Sequence, residues 1–217
     1  MKRLLAALLV TAGTAQAADM TVVRYVDQDP GEAPYATRLL VTADFLRMDD
    51  GDDNGDFVLL DRRRNEVANV MREAGVVMVF KQGVLPTKPA GWKTKLDTRA
   101  GAPGTQRYRL SVGGVVCSEG VVAPRAAPDV AKAIGELKRL LATTQHRVWR
   151  DSPRDMQHDC DLANQVWESG AVTAIGLPLE EREFTGRTRR FETQSTEPAR
   201  PELFRVPAGL PAINAPS

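Results

Sequence analysis

Between Met20 and Phe80 the chain is cut into short apolar stretches by closely spaced turn residues, and this spacing limits the possible folds more than any other feature. The stretches Thr21 to Val26, Ala36 to Thr42, Phe45 to Met48, Phe57 to Leu60, Glu66 to Met71 and Val76 to Phe80 read as strands. Between them stand Asp29-Pro30-Gly31, Ala43-Asp44, Asp50 to Gly55, Arg62 to Asn65 and Glu73 to Gly75, which supply the Gly, Asn and Asp that reversals require. A parallel pair needs a crossover of a dozen or more residues, and no gap here is long enough, so the strands form an antiparallel meander. Doubly wound folds are excluded.

The sheet resumes after an irregular crossing, Val84 to Gly104, that holds Pro86, Pro89, Pro103, Gly91 and Gly101 around a short strand at Trp92 to Leu96. Gln106 to Val112 and Val115 to Val122 flank Gly113-Gly114, a two-residue loop suited to the primed turns of a hairpin. Two helices then interrupt the strands, as an insertion at about 128–168. The first runs from about Asp129 to Thr144, with Val130, Ile134, Leu137, Leu140 and Leu141 on one side. The second opens with Ser152 as N-cap and Pro153 at the first helical position, and carries Met156, Cys160, Ala163 and Trp167 along an inward stripe. Strands return at Leu177 to Phe184 and Arg187 to Gln194. On them Glu180, Glu181 and Glu183 face Arg187, Arg189 and Arg190, and a solvated sheet surface is the preferred reading. Leu203 and Phe204 dock on the core, and residues 210–217 form a flexible tail.

The start of the chain sets its compartment. Lys2 and Arg3 precede the apolar run Leu4 to Val10, and Ala15-Gln16-Ala17 is the pattern cut by signal peptidase, so residues 1–17 read as a signal peptide cleaved after Ala17. The run falls short of the roughly 20 residues that span a bilayer, which argues against a stable membrane anchor. No cysteine stands near the cut to carry a lipid. Removing residues 1–17 takes the formal charge from +1 to −1, a balance unlike the basic excess of nucleic-acid binders. The mature chain, residues 18–209 with its tail, reads as a single exported domain, periplasmic in a diderm bacterium.

In an oxidising compartment the two cysteines, Cys117 and Cys160, read most simply as one disulfide. The alternatives are a redox thiol or a metal ligand beside His158, but neither cysteine belongs to a C-x-x-C pair. Two further constellations invite metal chemistry. The segment from Asp50 to Asp61 matches a calcium loop at Asp50, Asp52, Asn54 and Gly55, with Asp61 in the last position. Strands flank it where helices should, so an acidic hairpin loop is preferred. His146, His158 and Cys160 with Asp159 and Asp161 match no common zinc spacing, and surface histidines are preferred. No nucleophile elbow, P-loop or dinucleotide fingerprint is present, which points to a protein that is not an enzyme and uses no cofactor.

The order of signal peptide, meander, the hairpin Gln106-Arg107-Tyr108-Arg109-Leu110 with Gly113-Gly114, helical insertion, charged strands and the closing Pro201-Glu202-Leu203-Phe204 with Pro207-Ala208-Gly209 resembles the periplasmic lipoprotein-carrier-like (LolA-like) superfamily, over roughly residues 20 to 209. Many members of that superfamily have no assigned role. The resemblance implies an α+β fold in which a strongly curved antiparallel sheet forms a half-open barrel, with two helices packed on it and a concave apolar side able to hold acyl chains. It implies a non-catalytic binding protein for a lipid, another apolar ligand or a lipoprotein segment. The alternatives are a protein-interaction or regulatory module of the same fold, with its concave side filled, and an unrecognised hydrolase. The resemblance assigns no ligand-binding residue and leaves oligomeric state open.

Overall fold

The computed structural model describes residues 19–215; the segment read as a signal peptide, and residues 216–217 of the tail, lie outside the described residues. The fold is α+β, with helices packed on a twelve-stranded, mainly antiparallel sheet. The first meander comprises β1 (Asp19–Gln28), β2 (Tyr35–Val41), β3 (Phe45–Asp49), β4 (Phe57–Asp61), β5 (Glu66–Met71) and β6 (Val76–Lys81), each paired with the next. A second meander comprises β7 (Thr94–Ala100), β8 (Gln106–Val112), β9 (Val115–Ala123), β10 (Leu177–Glu183) and β11 (Thr188–Pro198). The two meet where β1 pairs with β11 over the whole length of β1. The sheet is open: its last strands are β7 on one side and the short β12 (Ala212–Asn214) on the other.

Three departures from the sequence reading have physical causes. The strand at Trp92 to Leu96 lies later, at Thr94–Ala100, because Trp92 leaves the sheet to pack edge-on against Trp167 at 4.5 Å between ring centroids. The tail after residue 210 does not fray throughout: Ala212–Asn214 adds to β6 in parallel, with Val77 N donating to Pro211 O at 3.0 Å and Ala215 N to Val79 O at 2.8 Å.

The helices depart most. The first, α1 (Pro128–Asp151), runs 24 residues, opening with Pro128 in its first turn, where its missing N–H costs nothing, and Asp129 beside the positive helix end. Its end is set by Pro153, which forces the preceding residue into extended backbone; Ser152 is therefore the C-cap of α1, at φ −73° and ψ 153°, rather than the N-cap of a second helix. A 3-10 turn at Arg154–Met156 follows, leaving Met156 61% exposed instead of on an inward stripe. The second helix starts only at α2 (Asp159–Leu162), running into a π turn at Ala163–Trp167, and a third, α3 (Ala171–Ile175), packs beside α1.

The sheet buries apolar side chains on both faces. On one face Val130, Ile134, Leu137 and Leu140 of α1 meet Val23, Leu39, Leu46, Leu60 and Val67. Arg62, at the end of β4, ties α1 to the sheet by donating to Glu136 at 2.6 Å and to Thr42 O at 3.0 Å. On the opposite face Leu203 and Phe204 cover Met20, Val22, Leu40, Phe57 and Leu59.

Candidate groove beside the first helix

Strand alternation puts Val23, Tyr25 and Asp27 of β1 on the α1 side, with Leu39, Thr37 and Tyr35 opposite them on β2. On the other flank of β1 the same parity carries Phe191 and Arg189 of β11, and beyond those Glu181 and Glu183 of β10. The apolar members of these rows sit under α1. The polar ones lie past its cover, and between the two runs a groove of about 600 Å³. Leu39, Met48 and Val58 of the sheet and Ile134, Leu137 and Leu141 of α1 make its apolar part. Asn164 and Gln165 of the π turn border it, and Lys138 projects from α1.

The charged end is built around Asp27, which is fully buried. Arg189 donates to it twice, Nε to Oδ1 and Nη2 to Oδ2, both at 2.8 Å, and the Thr37 hydroxyl donates at 2.6 Å. Burial would raise the Asp27 carboxyl; the hydrogen bonds and charge of Arg189, with Thr37 and Arg187, outweigh it and hold the group below the ordinary carboxylate range. The Arg189 guanidinium also lies 5.0 Å over the Tyr25 ring, whose hydroxyl donates to Pro178 O at 3.0 Å. Arg187 stands 3.6 Å from Asp29 and 3.9 Å from Asp27.

Glu181 lies opposite Arg189 in register, but that arginine is spent on the far side, on Asp27. Among the described residues neither Glu181 nor Glu183 has a hydrogen-bond or ion-pair partner through its carboxylate. Burial, and then the negative charge of Glu181, raise the Glu183 carboxyl against the pull of Lys138, Arg187 and Arg189. The charged hairpin is thus no uniform solvated surface: Glu180, Arg182 and Arg190 are exposed, while Glu181, Glu183, Arg187 and Arg189 line the groove.

The structure joins Cys117 to Cys160, both buried, with Cα atoms 4.8 Å apart. Cys117 is the extra residue of a bulge in β9, where Leu110 pairs with Ser118 and Ser111 with Val116, and the bulge turns its side chain to the helical layer. Asn164 secures the same junction, donating to Cys117 O at 3.1 Å and accepting from Ser118 Oγ at 3.2 Å.

The remaining sequence candidates are spread apart. Asp50 and Asp52 accept the backbone N–H groups of Asp52 and Asn54 within their own loop, whereas β4 carries Asp61 to its other end, where it accepts from Arg63 N and Arg64 N. His146 packs against Trp149 and Trp167, with its imidazole lowered by burial and by Arg150. His158 packs against Phe184. Among the described residues no three His, Cys, Asp or Glu side chains are placed to share a metal ion. No helix among those residues is long and apolar enough to cross a membrane.

No family model matches the chain, and no curated protein matches it. Among solved structures it is similar to PNGF-II in a C2 crystal form, at 11% identity and TM-score 0.35 over 91% of this chain and 31% of that one. A P21 form of the same protein gives 10% identity and TM-score 0.34, over 91% and 32%. The chain spans about a third of that protein's length, and a likeness at this level carries no argument about activity.

Proposed function

We propose that the chain is an exported, non-catalytic binding protein of the lipoprotein-carrier-like kind, whose sheet curves into a half-open barrel and whose groove takes the apolar chain of a lipid, of a related ligand or of a lipoprotein segment. The observation that carries this reading is the groove itself, about 600 Å³ with an aliphatic floor under α1 and a charged mouth beyond it. Small-molecule sites have this size and this mixture of apolar lining with a few placed polar groups. Each methylene buried there contributes about 0.8 kcal/mol, so about eight would bring roughly 6 kcal/mol before association costs are subtracted. Asp27 and Arg189 are closed on one another and on Thr37, which favours a binding role for the mouth over proton transfer. Export to the periplasm is supported by the sequence of residues 1–17 and by the Cys117–Cys160 bridge.

The test is native mass spectrometry with lipid extraction of protein taken from its own periplasm, followed by displacement of a fluorescent fatty acid. Co-purified acyl lipid, with binding lost in a folded Leu141→Trp variant that fills the groove, is the expected result. A clean protein mass together with no fatty-acid binding would overturn the reading in favour of an interaction module.

A further inference from the structure

We infer that the bare sheet face of β7–β11, on the side away from α1, is a docking groove for an extended acidic segment of a partner protein. The inference does not depend on what the groove beside α1 binds. Leu203 and Phe204 cover the first meander on this side, but the second meander carries a concavity of about 710 Å³. Six arginines line it: Arg189, which is held by Asp27, and five exposed ones, Arg99 from β7, Arg107 and Arg109 from β8, Arg182 from β10 and Arg190 from β11. Val26 and Val121, both half-buried, give it an apolar floor.

Three of the exposed arginines are not neutralised in place. Arg109 pairs with Glu119 at 2.9 Å and Arg190 stands 3.9 Å from Glu192, but Arg99, Arg107 and Arg182 have no ion pair among the described residues. Arg99 also lies directly opposite Arg107 across the β7–β8 pair. Like charges so placed oppose folding, and a local rule broken without a gain in packing marks a surface whose compensation comes from outside the chain. Two adjacent guanidiniums suit carboxylates, which they bind through paired N–H groups.

The acidic residues in the same face choose between polyanions. Asp97, Glu119 and Glu180 stand among the arginines, which would repel a uniform phosphate polymer or an anionic bilayer. A polypeptide can place carboxylates against Arg99, Arg107 and Arg182 and neutral side chains against those acids. Its backbone also fits a concave groove that a flat membrane surface cannot enter.

The probe is a labelled synthetic peptide of alternating Glu and Ser, followed by fluorescence anisotropy with the full mature chain. Binding that weakens about tenfold in Arg99→Ser/Arg107→Ser, and that fades as salt is raised, is expected. An Arg154→Ser control should stay within about twofold, and the double variant should melt no lower than the parent because it loses a like-charge pair. Equal binding by parent and double variant, or no binding by either, would overturn the inference. So would a preference for phosphatidylglycerol vesicles or inorganic polyphosphate in competition with the peptide.

Discussion

Arg47 ties the sheet to the C-terminal segment through a guanidinium that is only 1% exposed. Its Nε donates to Asp49 at 2.6 Å, Nη1 to Leu203 O at 2.9 Å and Nη2 to Asp53 O at 3.1 Å, while the group lies 4.0 Å over the Phe57 ring. Arg47→Met keeps most of the stem and removes every donor. The carboxylate of Asp49 is not orphaned by the change, since Arg38 holds both its oxygens, at 2.7 and 2.9 Å, and Gly51 N donates to it. The loss therefore falls at the low end of the range for breaking a buried ion pair, about 3 kcal/mol, most of it from the unpaired carbonyls of Leu203 and Asp53. Asp49→Ala removes the carboxylate that two buried guanidiniums share, leaving Arg38 only Asp53 and Arg47 only backbone carbonyls, and should cost more, about 5 kcal/mol. Arg200→Ser, which loses only the exposed arginine's contact with the half-buried Asp53 carboxylate, should cost under about 1 kcal/mol. Urea unfolding followed by circular dichroism gives the ranking, and hydrogen exchange at 201–206 shows where the loss is felt. If Arg200→Ser proves as costly as Arg47→Met, or if exchange at Leu203 and Phe204 is unchanged in Arg47→Met, the network does not hold the segment.

Three other outcomes follow from the geometry. Glu183 is raised in the folded protein, so its contribution favours folding below the ordinary glutamate pKa and is lost as pH rises through the folded value; Glu183→Gln should raise Tm at pH 7 and leave it nearly unchanged at pH 4, and a lower Tm at pH 7 would contradict this. Gly120→Ala would set a Cβ into the Glu180 carbonyl of the adjacent strand, so it should destabilise by more than about 2 kcal/mol and expose the β9–β10 junction to proteolysis; a near-neutral effect would be inconsistent with the close approach. Reducing the Cys117–Cys160 bridge, which spans 43 residues, should cost up to about 4 kcal/mol and loosen residues 153–167 first, as read by exchange after reduction and alkylation; uniform loosening would count against it.

The first meander was legible because its turns are short and rich in Gly, Asn and Asp, and because β1 to β5 alternate or bury completely. Its strand limits agree with the structure to within two residues at every end, and the Cys117–Cys160 pairing needed only a count of two. The order in which the two meanders join was not legible: the pairing of β1 with β11 spans most of the chain and has no local signal. Ser152-Pro153 misled because a Ser-Pro pair serves both to open a helix and to close one. The choice lay with residues 145–151, which continue α1 without a breaker. The groove's charged end was partly visible. Asp27 stands at the same parity as Val23 and Tyr25, and Arg189 at that of Phe191, so each breaks an otherwise apolar row. Arg47 was harder to see, because a single charge between Leu46 and Met48 is what an exposed strand position also shows.

The position of that charged end follows from the mismatch between strand and helix. The strand β1 has ten residues, and its inward row stays apolar through Val23 and Tyr25 before turning to Asp27. A side chain of that parity must face the α1 side whether or not α1 reaches it, because strand alternation cannot skip a residue without a bulge. Where the helix covers the row the side chains are aliphatic and aromatic; past that cover water has access and an ion pair can be solvated at its rim. Arg189 and Glu183 repeat the change on β11 and β10, so three strands turn polar together. An amphiphile held there as proposed would therefore have one orientation, its chain along Leu39 and Leu137 and its head between Lys138 and the carboxylates of Glu181 and Glu183. Lengthening the apolar row by Asp27→Val would not simply enlarge the greasy surface. It would strand Arg189 without its bidentate partner, and the mouth would lose its shape before the floor gained any area.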